Sequence, residues 1–174
     1  FEVGNLFQLL MLDTRSIYRD KQLNIEDYFD GNTINKSKYK KDLSLERKLI
    51  GLEQILWIKN NLNKKFKWSI IGQQVLMAQV YLPTIFANMN KKILPDYLHK
   101  YLKIGGSNVP YNTDAWDGYP KERERLFNEL KKANSVLVLT GDTHNSWINN
   151  LYDKNNNFIG VEIGAPAISS PNTI

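Results

Sequence analysis

Ser135-Val136-Leu137-Val138-Leu139-Thr140-Gly141-Asp142-Thr143-His144 is the stretch whose reading decides the fold. Its first part is a short, continuous apolar run, the pattern of a strand buried on both faces. The run ends in a glycine, which lets the backbone turn tightly beside a ligand. An acid and a histidine follow, two positions apart, and in an extended segment such residues point the same way. A carboxylate and an imidazole placed so can converge on one metal ion. The plain alternative is a turn aspartate followed by an ordinary surface histidine.

Two further runs read as buried strands, Leu6–Leu12 and Trp68–Val75, and each also ends in polar residues. The first gives way to Asp13-Thr14-Arg15 and the second contains Gln73-Gln74 at its end. Between them, Leu45, Leu49, Leu52 and Leu56 recur at helical spacing after Ser44, a plausible N-cap, so a helix over Leu45–Leu56 is expected to pack through that stripe. A second helix is expected over Glu122–Ala133, with Pro120 suited to its first position and Leu126, Leu130 and Ala133 inward. Glu122 and Glu124 then favour its N-terminal end, and Lys131 and Lys132 its C-terminal end. Trp147–Tyr152 and Phe158–Ile163, separated by an Asp153–Asn157 turn, form an expected strand pair. Residues 20–42 are polar and Lys/Asn-rich and read as an excursion loop with one helical turn at Ile25–Phe29. Met77 to Lys103 is expected to hold short helices around Pro83 and Pro95. Strands alternating with helices give an α/β layered fold, in which ligand chemistry gathers beyond the carboxyl ends of strands.

Composition narrows the function classes. The chain has 174 residues, 42% of them hydrophobic and 24% charged, enough for a sizeable core and typical of a folded domain. It has no cysteine, so disulfides, Cys-zinc sites and thiol chemistry are excluded. No apolar run approaches the roughly 20 residues that span a bilayer, so membrane insertion is not expected. A net charge of +5 raises the question of nucleic acid. The basic residues are mostly lysines dispersed among asparagines, which reads as a solvated surface, and no nucleic-acid-binding role is expected.

The strand-end residues have specific readings. Arg15 can clamp a phosphate with paired N–H donors, while Asp13 reads as a structural Asp–Arg pair that fixes the loop. A Gln73 or Gln74 carbonyl oxygen can serve a hard metal ion, or simply satisfy backbone groups in a polar pocket. The loop Asn112–Pro120, with Trp116 and Tyr119, can wall a pocket, or its aromatics can cap a core edge. His99 reads as an ordinary helical histidine. A metal-free hydrolase using Ser146 or Ser169 lacks the G-x-S-x-G elbow of that class.

Taken in order, Leu12-Asp13-Thr14-Arg15, Leu52-Glu53-Gln54 with Trp57, Trp68–Val75, Trp116-Asp117-Gly118-Tyr119-Pro120 with Arg123, Leu139-Thr140-Gly141-Asp142-Thr143-His144, and Val161-Glu162 leading to Ile168-Ser169-Ser170 resemble the alkaline phosphatase D (PhoD-like) metallophosphatase family. The resemblance implies a four-layer α/β/β/α metallophosphoesterase-like sandwich. It implies metal-dependent hydrolysis of phosphate mono- and diesters, with calcium and iron as the metal ions and a periplasmic or secreted location. Asp142, His144 and, in place of a histidine of related phosphoesterases, Gln74 become the expected metal ligands. His144 and Arg15 become the expected catalytic residues, and Arg15, Trp116 and Tyr119 the expected substrate contacts. The family's earlier metal-binding blocks are missing. Residues 1–174 are therefore expected to be the C-terminal half of a catalytic domain, which the N-terminal half of the same polypeptide must complete. This chain alone would be catalytically incomplete, and the alternative to the enzyme reading is a non-enzymatic, catalytically incomplete phosphate- or metal-binding fragment.

Overall fold

The computed structural model describes residues 1–166. The stretch Ile168-Ser169-Ser170 and the candidate nucleophile Ser169 lie outside the described residues. The three apolar runs are strands as expected: β2 is Phe7–Met11, β5 is Trp68–Gly72 and β6 is Val136–Thr140. Together with β1 (Glu2–Val3), β7 (Trp147–Tyr152) and β8 (Phe158–Gly164), they form one six-stranded sheet in the order β1-β2-β5-β6-β8-β7. The four central strands run parallel, and β1 and β7 close the edges antiparallel. The expected strand pair is β7–β8, and Asp153 builds the turn between them by accepting from the backbone N–H of Asn155 and Asn157 at 2.9 and 2.8 Å.

The Asp153 carboxylate also meets the Lys131 ammonium and the Asn157 amide. The Lys131 partner, and then Asn157, holds its carboxyl well below the usual carboxylate range. A carboxyl lowered by folding contributes stability that is full above its unfolded value of 3.8 and is lost as pH falls through the folded value. Asp153→Asn should therefore flatten the acid limb of thermal melts run from about pH 5 to about pH 2. An acid limb as steep as that of the unchanged protein would refute this.

Helices cover one face of the sheet. Helix α2 (Gly51–Asn61) and helix α4 (Pro120–Leu130) send Ile55, Ile58, Leu126, Phe127 and Leu130 into a core with Leu10, Leu12, Ile71, Val136 and Val138 from the strands. Pro120 opens α4, as its fixed φ and missing N–H allow.

The first helix departs from expectation. It starts at Gly51, not Leu45, and Ser44 closes a preceding helix instead of capping this one. Leu49 is buried, but Leu45, Leu52 and Leu56 face outward, with Leu52 63% exposed. The sequence carries two interleaved apolar stripes, and the one that packs is Gly51, Ile55, Ile58 and Leu62. The polar excursion also holds more structure than its composition suggests. The expected helical turn is present as Ile25–Tyr28. After it come a small hairpin of β3 (Phe29–Asp30) with β4 (Thr33–Ile34) and helix α1 (Lys36–Leu43). Helix α1 is capped by Asn35, whose side chain accepts from the Lys38 N–H at 3.0 Å. These pieces bury Ile25, Tyr28, Tyr39 and Leu43 against Ile104 and Val109, a second small core. The expected short helices appear as single turns and α3 (His99–Ile104).

The opposite sheet face is apolar and open. Register places Leu9, Ile70, Leu137 and Val161 in one row, and Met11, Gly72, Leu139, Ile163 and Ile148 in the next. Met11 and Ile148 are 60% and 80% exposed. A continuous apolar row of this kind is unusual on a folded surface.

Candidate active site

Parallel register brings the three polar strand ends to the same edge of the sheet. The Gln73 N–H donates to the Leu139 carbonyl at 3.0 Å, and the Gly141 N–H reaches the Gln74 carbonyl at 3.3 Å. Gln74 in turn clamps the end of β2. Its amide oxygen accepts from the backbone N–H and the hydroxyl of Thr14, at 2.8 and 2.6 Å, and its amide nitrogen donates to the Leu12 carbonyl. Both lone pairs of that oxygen are thereby used. Gln74, expected as a metal ligand, here clamps the end of β2 through Thr14 and Leu12.

The loop after β2 is built from its backbone. Asp13 accepts from the N–H groups of Arg15 and Ser16, each at 2.8 Å, and these bonds, Ser16 first, lower its carboxyl pKa. Asp13 does fix the loop, but through N–H groups and not through the Arg15 side chain. Gln54 of α2 locks the same residue from the other side, accepting from the Asp13 N–H and donating to its carbonyl, both at 2.8 Å. Arg15 is left to reach across. One terminal nitrogen donates to Asp114 at 2.7 Å and the other pairs with Asp142.

Asp142 sits in a strained turn. The Thr143 N–H bonds back to the Gly141 carbonyl at 2.9 Å around Asp142 at φ 66°, and His144 follows at φ 57°. Two non-glycine residues with positive φ, two positions apart, are costly and are held by their surroundings. His144 is half-buried and Asp142 exposed beside it. A cavity of about 170 Å³ opens here, lined by Asp142, Thr143, Asp114 and Trp147. The buried Trp147 indole nitrogen and Thr140 hydroxyl at this edge have no hydrogen-bond partner among the described residues.

Of the expected site residues Asp142 lines this cavity, whereas Arg15, His144, Gln74, Trp116 and Tyr119 do not. Trp116 is fully buried, and its indole N–H donates to Gln73 at 3.1 Å. Tyr119 is fully buried between the guanidinium groups of Arg19 and Arg47, and its hydroxyl donates to the Asp20 carbonyl at 2.7 Å. Both, expected as substrate contacts, here fix the loop that carries Asp114. His99 is likewise structural, its ring nitrogen lying 3.1 Å from the carbonyls of Lys91 and Leu94.

Sequence reasoning missed the acids that hold this edge in place. Glu162 is buried on β8 and accepts from the N–H groups of Met77 and Ala78, at 2.6 and 2.9 Å, and from Asn149. Burial pushes its carboxyl pKa up. Asp117 pairs with Arg123 at 2.7 Å and accepts from the Val80 N–H. Glu122 on α4 accepts from the N–H groups of Leu49, Ile50 and Gly51 at the start of α2. Glu162, Asp117 and Arg123 are among the residues that carried the family resemblance, and they turn out to pin the chain after β5.

Among the described residues, no three His, Cys, Asp or Glu side chains converge to hold an ion by themselves. The donor chemistry still fits part of a metal site. An aspartate and a histidine at one strand end suit both hard and borderline ions, and an ion takes four or more donors.

The fold and this edge define a class: an α/β protein whose polar chemistry lies beyond the carboxyl ends of parallel strands. Within it, the chain belongs to the PhoD-like phosphatase family, which it matches over residues 1–174. It is 37% identical over 156 residues to alkaline phosphatase D of Bacillus subtilis (strain 168), covering 87% of this chain and 22% of that protein. A solved structure of PhoD matches with a TM-score of 0.67 and 34% identity, over 98% of this chain and 28% of that one. The chain thus spans less than a third of either relative.

Proposed function

We propose that this chain forms one wall of the active site of a metal-dependent phosphatase that hydrolyses phosphate mono- and diesters. The observation that carries the reading is the strand-end turn, where Asp142 and His144 stand on strained backbone with Arg15 beside them in a member of this family. Asp142 and His144 would hold metal, calcium and iron being the ions the resemblance implies. A bound metal ion supplies charge to the phosphoryl oxygens and lowers the pKa of water. The residues of this chain do the rest of the work at this wall. Arg15 neutralises and orients the phosphoryl group through its N–H fork. The clamps Gln74 and Gln54 keep the β2 end rigid, so that the guanidinium stays paired with Asp114 and Asp142, which line the cavity.

The remaining donors come from the rest of the same polypeptide, whose upstream half would also lay a second sheet on the apolar face, completing the four-layer sandwich. A periplasmic or secreted location follows the family. The test is the full-length protein assayed on p-nitrophenyl phosphate and its bis-ester with and without chelator. Hydrolysis of both esters, lost on chelation and restored by added metal, is expected; chelator-resistant hydrolysis would refute the metal. Residues 1–174 expressed alone should be inactive and should bind a hydrophobic dye through the Met11–Ile148 face, whereas the full-length protein should not. Equal dye binding by both would refute the second sheet.

A further inference from the structure

We propose that Asp114 is a positioning residue for Arg15, holding the guanidinium beside the cavity-lining carboxylates Asp114 and Asp142 so that it meets the phosphoryl group already oriented; this rests on the reading of Arg15 as the phosphate contact. Asp114 stands on a loop with little freedom. Thr113 before it donates to the Leu23 carbonyl at 2.5 Å, and Trp116 after it is bonded to Leu76 and Gln73. The Asp114 carboxylate is divided between two arginines. One oxygen takes Arg19 at 2.5 Å, and the other takes Arg15 at 2.7 Å.

Arg19 is the fixed partner. Its side chain is 13% exposed, lies over the Tyr119 ring, and also donates to the carbonyls of Thr14 and Asp114 at 2.9 and 2.7 Å. With one carboxylate oxygen locked by Arg19, the other is presented at a set angle to Arg15, whose side chain is about a third exposed. Arg15 uses one N–H on Asp114 and one on Asp142. Of its five N–H groups, three remain for an anion entering the cavity that Asp114 and Asp142 both line. A long side chain held this way surrenders less rotamer freedom when it binds.

The experiment is a double-mutant cycle in the full-length protein, reading kcat and KM on p-nitrophenyl phosphate and inhibition by inorganic phosphate. Asp114→Asn should raise KM and weaken phosphate inhibition about tenfold, with kcat changed by less than about twofold. Arg15→Ala should do at least as much, and the double variant should be no worse than Arg15→Ala alone. Arg19→Lys keeps the charge but loses the fork, and should show the same pattern more weakly if Asp114→Asn folds poorly. An Arg15→Ala effect with none from Asp114→Asn or Arg19→Lys would overturn the positioning role and leave the Arg15 reading standing. Additive effects would also overturn it. No effect from Arg15→Ala would remove the Arg15 reading and this inference together.

Discussion

His144→Ala in the full-length protein is expected to cut phosphatase activity by at least about a hundredfold, since losing even an outer partner of a metal ligand typically costs 10–100-fold. Metal content should fall with it. The imidazole follows a strained turn at the end of a buried parallel strand, and the geometry at Asp142 and His144 is set by that turn. Removing the ring leaves the strand and its register untouched, so the variant should fold. Asp142→Asn should act in the same direction, because an amide is a weaker donor and loses the charge. His99→Ala is the control, its ring being engaged with backbone carbonyls far along the chain from the strand ends. Full activity and full metal in His144→Ala would reduce Gly141–His144 to a structural turn.

The largest stability loss is expected from Glu122→Ala. Helix α2 has no cap of its own, because Ile50 at its start offers no side-chain acceptor. The Glu122 carboxylate fills that role from α4, with one oxygen taking the Leu49 and Ile50 N–H groups and the other taking Gly51 at 3.0 Å. It is 2% exposed, so nothing replaces it when it is removed. Leaving buried donors unpaired should cost about 3–5 kcal/mol, against about 0.5 kcal/mol for an exposed substitution such as Lys59→Gln on α2. Chemical denaturation of the full-length protein reads the difference as a lower midpoint at unchanged slope. A Glu122→Ala midpoint equal to that of Lys59→Gln would show that water or a shifted helix supplies the missing acceptor.

The parts of this molecule legible in its sequence are those set by local pattern. Continuous apolar runs located β2, β5 and β6, and the glycine after Thr140 placed Asp142 and His144 at a strand end. The parts that were not legible depend on contacts between distant residues. Glu122 in a first turn looks like a dipole partner, and only the approach of Leu49–Gly51 turns it into a cap. Glu162 looks like a polar residue in an edge hairpin until Met77 and Ala78 are laid against it. Leu52 and Leu56 form as good a stripe as Ile55 and Ile58, and periodicity alone cannot choose between two faces of one helix. Trp116 and Tyr119 have the composition of a pocket wall, but their polar atoms are spent on Gln73 and Asp20. Helix α1 was hidden by its lysines, which lie outward while Tyr39 and Leu43 pack beneath. The role of Gln74 is open in the sequence because an amide oxygen suits a cation and an N–H equally well; in the fold Thr14 provides the N–H.

The decisive measurement is anomalous diffraction from crystals of the full-length protein grown with its native metals. The strand-end reading predicts a metal peak within about 2.0–2.6 Å of a His144 ring nitrogen or an Asp142 oxygen, with the remaining ligands drawn from other residues of the full-length protein. Metal ions bound elsewhere, with Asp142 and His144 touching none of them, would contradict it.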